Sequence, residues 1–240
     1  EKNAIKGDRA GQKVDTGKLL TARTVNSIRQ AVAVPLAEAY RLGLIRENPA
    51  GRAPKLAETT ASRGVLTLAE ARAVLAAPWA DPRARAASLL AATTGMRLGE
   101  VRGLTLEAIH KGEIEIRHSW ADKEGLKSPK WGSARTVPVP GHVEALLRKQ
   151  AEGNPWGDGL VFYGAHRGRP YGEVEIRKGL QTALEAVGID PSRGVTFHSW
   201  RHFFNSQMRD QIPDHALRQL TGHRSEVMTE RYTHLTEEGR

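Results

Sequence analysis

The spacing of apolar residues predicts a mainly α-helical chain with a small three-stranded antiparallel sheet, an α+β protein built in two parts. Apolar residues recur at helical spacing in stretches spread over the whole chain. Strict alternation is confined to three short runs, residues 106–109, 114–119 and 135–139. Between the first helical stretch and the rest lies NPAGRAPKLAETTASRG, residues 48–64, poor in large apolar side chains and rich in turn formers. The expected organisation is a helical part over 1–49, a linker over 50–64 and a second domain over 65–240.

Taken in order, residues 1–18 are polar, carry Gly7, Gly11 and Gly17, and show no period, which reads as a loop or a ragged end. The chain opens at Glu1, not Met, in mid-pattern, and is expected to be a piece of a longer protein. Residues 21–44 turn helical, with Val25, Ile28, Val32 and Leu36 along one side and Arg23, Asn26, Arg29 and Gln30 along the other. Pro35 is expected to kink or split this helix. Residues 1–62 hold eleven basic and six acidic side chains, +5 of the whole chain's +9, so Arg23, Asn26 and Arg29 are expected to meet DNA.

The second part starts at Val65-Leu66-Thr67, where Thr67 and Glu70 form the pattern of a capping box. Asp81 caps a further helix with Pro82 in its first turn, and the Ala- and Leu-rich run 84–92 carries it to TTGMRLGEV. There Gly95 permits a close approach, Arg97 opens a short helix, and Glu100, three positions on, can orient its guanidinium. A guanidinium fixed by a carboxylate is a good fork for phosphate oxygens. After a turn at Lys111-Gly112, a long polar turn with three lysines, KEGLKSPKWGS, precedes the third alternating run. Helices over 142–150 and 173–187 and a buried segment at 160–162 read as scaffold.

Residues 196–235, TFHSWRHFFNSQMRDQIPDHALRQLTGHRSEVMTERYTHL, are the densest in chemistry. On a helix, Phe197, Trp200, Phe204 and Met208 make an apolar stripe, with His198, Arg201, His202, Asn205 and Arg209 on the other side. Pro213 suits the first turn of the next helix, Thr221-Gly222 its stop, and Ser225 the cap of a third helix ending near Tyr232. A phenol folded back toward His198, His223 and Arg201 is a nucleophile aimed at phosphate.

These boxes resemble the catalytic domain of the tyrosine recombinase, or phage integrase, family. The family's C-terminal pattern is His-x-x-Arg, Leu-Gly-His, then Tyr about nine residues later; here Thr221 stands in for the residue before Gly222. TTGMRLGEV matches the family's first catalytic Arg box. The hairpin LKSPK...ARTVPVP places the essential lysine at Lys127, with Lys130 as its rival and otherwise a DNA contact. Residues 1–49 resemble the end of an all-helical core-binding domain that clamps the duplex. By resemblance, then, Arg97, Lys127, His198, Arg201, His223 and Tyr232 are the expected catalytic residues, with Glu100 in support.

The resemblance implies that Tyr232 attacks a DNA phosphodiester, giving a 3′-phosphotyrosyl link and a free 5′ hydroxyl, with no metal, ATP or other cofactor. Arg97 and Arg201 would neutralise the phosphate, His198 would take the phenolic proton and Lys127 would supply one to the leaving oxygen. Four protomers would synapse two duplexes to integrate or excise a mobile element, in a DNA-associated protein of the bacterial cytoplasm. Only eight residues follow Tyr232, where relatives continue into a segment that docks on a neighbour, so cleavage with poor assembly is expected.

Composition agrees in outline. The chain has 36 Lys and Arg against 27 Asp and Glu, with a pI near 10.0, a charge that attracts polyanions. It has no Cys, which removes disulfides and thiol nucleophiles. His198 and His202 stand four apart, but Ser199 replaces the Glu of a zinc His-Glu-x-x-His motif. Two other readings remain: a type IB topoisomerase using similar chemistry, and a non-catalytic regulator whose helix-turn-helix is residues 216–232.

Overall fold

In the computed structural model, residues 3–7, 13–58, 64–128 and 134–222 are described, with side chains from Leu19 onward. They fall into two compact units, one within residues 1–61 and the other within 62–240.

In the first unit, β1 (Asn3–Gly7) and β2 (Lys13–Leu19) pair antiparallel, Lys6 opposite Val14, where the sequence reads as a loop. The polar, glycine-bearing segment has no apolar alternation to announce this hairpin. Helix α1 (Ala22–Arg41) starts at Thr21, whose hydroxyl accepts from the Thr24 N–H at 3.3 Å. The helix runs through Pro35 without the expected split. Pro35 and Ala31 are both exposed, so the carbonyl deprived of its donor can be hydrated.

Asn26 is a correction to the sequence reading. It is buried, its amide donating to Leu56 O at 2.9 Å and Glu58 Oε1 at 2.8 Å and its oxygen accepting from Leu56 N–H at 2.9 Å. Arg29 Nε likewise donates to Ala53 O at 2.7 Å. These side chains fasten residues 53–58 to α1. Polar spacing on a helix cannot distinguish such an anchor from a DNA contact. Arg23 is exposed.

In the second unit, α2 (Leu68–Ala76) has the full Thr67/Glu70 capping box, and α3 (Pro82–Thr94) is capped by Asp81 through the Arg83 N–H at 2.8 Å. Small residues make α3 the central helix: Ala84, Ala87 and Ala91 are wholly buried, and α3 packs against α6 (Glu173–Ala186) and α7 (Ser199–Met208). Helix α4 (Leu98–Arg102) follows after a sharp turn.

The three-stranded sheet is present, in the order β3 (Ile109–His110), β4 (Glu113–Ile116), β7 (Arg135–Pro138). Ile114 faces Val137 and Ile116 faces Arg135 across the β4–β7 ladder. The polar turn, expected to bear its lysine on a hairpin, holds two short strands that were not read in it, β5 (Ser119–Ala121) with β6 (Gly125–Lys127), the reversal ending at Gly125 with φ 77°. Helix α5 (Gly141–Glu152) covers the core over Val143 and Leu147, and α8 (Asp214–Thr221) ends the described chain. Among the described residues no helix is long and apolar enough to cross a membrane.

The turn between α3 and α4 sets the site. Gly95 closes α3 at φ 67°, and a Cβ there would lie 2.6 Å from the Phe204 ring on α7. Gly188 has a similar φ of 73° but nothing within 4 Å of such a Cβ. Both Gly→Ala substitutions incur left-handed strain of about 1–2 kcal/mol, worth roughly 2–4 °C in Tm per kcal/mol for a domain of this size. Gly95→Ala is expected to lower Tm clearly more than Gly188→Ala, because only there must a core ring move; equal shifts in thermal melts would refute this close-contact account.

Candidate active site

Arg97 is the N-cap of α4, and its backbone N–H donates to Glu100 Oε2 at 2.8 Å while its NH1 donates to Glu100 Oε1 at 2.9 Å. The side chain of Glu100 is only 2% exposed and also takes a two-pronged guanidinium from Arg135, NH1 to Oε1 at 3.0 Å and NH2 to Oε2 at 2.8 Å. One carboxylate thus holds two arginines that lie 38 residues apart in sequence.

Burial pushes the Glu100 carboxyl up, but the Arg135 hydrogen bonds and charge, aided by Arg97, outweigh it and hold the group at about 2. Glu100 is therefore ionised at neutral pH. The two guanidiniums exceed the one carboxylate by a unit of positive charge.

The second half of the site comes from α7 and α8. Arg201, 1% exposed, donates from NH1 to Gly95 O at 2.8 Å and from NH2 to Thr221 O. Arg97 NH2 donates to Gly222 O at 3.3 Å, and Arg135 Nε to Leu220 O at 2.6 Å. Three guanidiniums therefore take three successive carbonyls, Leu220, Thr221 and Gly222, at the end of α8. Those carbonyls have no intrahelical donor, and the negative end of the helix dipole favours cations. Gly222 stops the helix in the left-handed conformation, φ 66°, immediately before His223.

The structure brings Arg97, Glu100 and Arg201 together. His198 occupies the N-cap position of α7, its ring 4.8 Å from that of His202 and nearly perpendicular to it. Lys127 ends β6, its ammonium donating to Glu124 Oε2 at 2.6 Å. Lys130, His223, Ser225 and Tyr232 lie outside the described residues. The expected division of α7 into an apolar and a polar side is corrected: Arg201 and Asn205 are as buried as Phe204. Helix α7 packs against α3 and α8, and its Arg201 is spent on carbonyls of both neighbours' ends, Gly95 and Thr221.

Arg135 was missed as a site residue. The signal was the alternation of Arg135 with Val137 and Val139, which puts the guanidinium on the apolar face of its strand, where an arginine requires a partner.

A family model described as the phage integrase family matches residues 65–238. The chain belongs to the phage integrase family. Among its relatives are tyrosine recombinase XerC of Rhodospirillum centenum, 30% identical over 77% of this chain and 52% of the relative, and a putative integrase of Pseudomonas phage Pf1, 27% identical over 90% and 58%. The chain spans about half the length of the curated relatives it matches. Among solved structures, the Tn1549 transposon integrase with a circular intermediate DNA shares the fold with a TM-score of 0.75 at 20% identity, over 89% of this chain and 75% of that one. A lambda integrase tetramer on a Holliday junction gives 0.65 at 22%, over 85% and 60%. This integrase-family chain has the mostly helical architecture with a small antiparallel sheet that those structures share.

Because the folded carboxyl of Glu100 lies below its unfolded value near 4.5, its stabilisation is complete above about pH 4.5 and is lost as pH falls through about 2. The shift corresponds to roughly 3 kcal/mol. Glu100→Gln is expected to lower Tm at pH 7 by several degrees, with the difference from the unsubstituted chain shrinking between pH 4.5 and 2. Parallel Tm curves for the two proteins across that range would refute the assignment.

Proposed function

We propose that this chain is the catalytic part of a site-specific DNA recombinase that cuts and rejoins strands through a 3′-phosphotyrosyl intermediate. The observation that supports it most is the meeting of Arg97 and Arg201, 104 residues apart, on the adjacent carbonyls of Gly222 and Thr221, directly ahead of His223. Paired guanidiniums suit a group that gathers negative charge in its transition state. The side chain of Arg97 is 30% exposed and has two of its five N–H donors engaged among the described residues, which suits it to bind a nonbridging phosphate oxygen.

In this reading Tyr232 attacks phosphorus. A free phenol has a pKa of about 10, so the attacking oxygen must give up its proton, and His198 accepts it. The bond to the 5′ oxygen breaks as the new O–P bond forms, and Lys127 protonates the departing oxygen after exchanging Glu124 for DNA. The ester energy is kept in the phosphotyrosine, so a 5′ hydroxyl from another strand can attack and reseal without ATP. Strand exchange in a four-protomer synapse, and integration or excision of a mobile element, follow from the likeness to integrases and Xer recombinases. The surplus of basic residues over the first 62 positions, with Arg23 exposed, supports a duplex held by both parts of the chain.

The test uses nicked duplexes tiled across the DNA flanking the protein's own gene, incubated with the protein and EDTA and run on a denaturing protein gel. A slower band that Tyr232→Phe abolishes is the expected result. Arg97→Ala and Arg201→Ala are each expected to slow its formation by about 100-fold or more. DNA binding without any adduct would favour the regulator, and nicking and resealing that never joins two supplied duplexes would favour a topoisomerase.

A further inference from the structure

Arg135 has a place in the site that neither its position in a strand nor the catalytic boxes account for. Its side chain is 7% exposed, and its guanidinium is bonded three times, twice to Glu100 and once to the carbonyl of Leu220. Glu100 in turn receives four hydrogen bonds, two from Arg135 and two from Arg97. Like Arg97, Arg135 bonds both this carboxylate and the end of α8, but it gives the carboxylate two side-chain donors where Arg97 gives one.

The charges give the arrangement a purpose. Arg97 and Glu100 alone make a neutral pair, and a guanidinium whose charge is cancelled 2.9 Å away has little to offer a phosphodiester. Arg135 supplies the second cation. It faces the carboxylate with both prongs, while Arg97 spends one side-chain donor there and another on Gly222. The more buried guanidinium neutralises the buried carboxylate, and the more exposed one carries the remaining charge.

Resting on the recombinase reading above, we propose that Arg135 is a positioning residue for the cleavage step: it neutralises Glu100 so that the positive charge of Arg97 is available to the scissile phosphate. It acts through Arg97 and does not touch the DNA itself. Through Leu220 it also holds the turn that leads to His223 at a set distance from Arg97.

The experiment measures single-turnover adduct formation on the duplex that works best for the unsubstituted chain. A second duplex carries a methylphosphonate at the scissile position, where a methyl group replaces one nonbridging oxygen and removes the charge. Arg135→Gln is expected to slow adduct formation on the phosphodiester by about 100-fold, the scale of one lost charge-stabilising donor, but to slow the methylphosphonate reaction by less than about 5-fold. Arg135→Lys, which keeps the charge and loses the fork, should recover at least about 10-fold of that loss on the phosphodiester. Glu100→Gln added to Arg135→Gln should also restore the rate, because it returns a net charge to Arg97.

Equal losses on the two duplexes, or no loss on either, would overturn the inference and leave Arg135 a packing residue. Absence of adduct with the unsubstituted chain would instead overturn the recombinase reading on which it rests.

Discussion

The carboxylate of Glu100 is the constraint around which the site is built. An ion so deeply buried is tolerated only when its oxygens are fully paired, since removing a carboxylate from water costs several kcal/mol even after relaxation. Four donors from Arg97 and Arg135 meet that demand. In doing so they fix the start of α4 to the first residue of β7. The same pairing leaves one positive charge over, so a structural need and a chemical capacity come from one cluster.

The end of α8 is the second point at which need and capacity coincide. A helix that stops in the protein interior presents carbonyls with nothing to accept from, and here each of the last three finds a guanidinium. Water would satisfy the carbonyls equally well but would not fix their position relative to α4 and α7. Arginine can, because its planar head carries five donors and serves two acceptors on opposite edges, as Arg201 does for Gly95 and Thr221. Lysine, a compact ammonium on a flexible stem, has donors but no planar fork, and so would not set the angle between helices.

Much of this was legible in the chain because the relevant signals are local. Thr67 with Glu70, Asp81 with Pro82, and Arg97 with Glu100 are each decided within three or four residues, and each forms as its spacing implies. The helical period likewise placed α1, α5 and α6 to within a few residues. What the chain hid is long-range. Polarity on a helix face does not say whether the face meets water or protein: Asn26, read as a DNA contact, and Asn205 and Arg201, read on the polar side of α7, are all buried. The β1–β2 hairpin, and the short strands β5 and β6 within the lysine-bearing turn, escaped because polar strands lack an apolar alternation. Arg135 was visible only as an anomaly, a charge on the apolar face of its strand, whose meaning depends on a carboxylate 35 residues earlier.

Helix α4 shows how short a connecting element can be. In five residues it presents different groups on different sides. Arg97 and Glu100, three positions apart, turn toward the arginine cluster, whereas Gly99 and Gly103, four apart, turn toward the hairpin that bears Lys127. A Cβ on Gly99 would lie 2.6 Å from Ser119 Oγ and 2.9 Å from Trp120 O, and one on Gly103 would lie 3.1 Å from Trp120 N. Strand β5 therefore rests directly on helix backbone. Arg102 locks the contact from one end, bonding Asp122 at 2.7 and 3.2 Å and Tyr171 O at 3.0 Å. Backbone against backbone leaves no flexible side chain to absorb a displacement, so a shift of α4 is passed to the hairpin and to Arg97 together. Lys127 and Arg97 are thus tied to one rigid turn of helix.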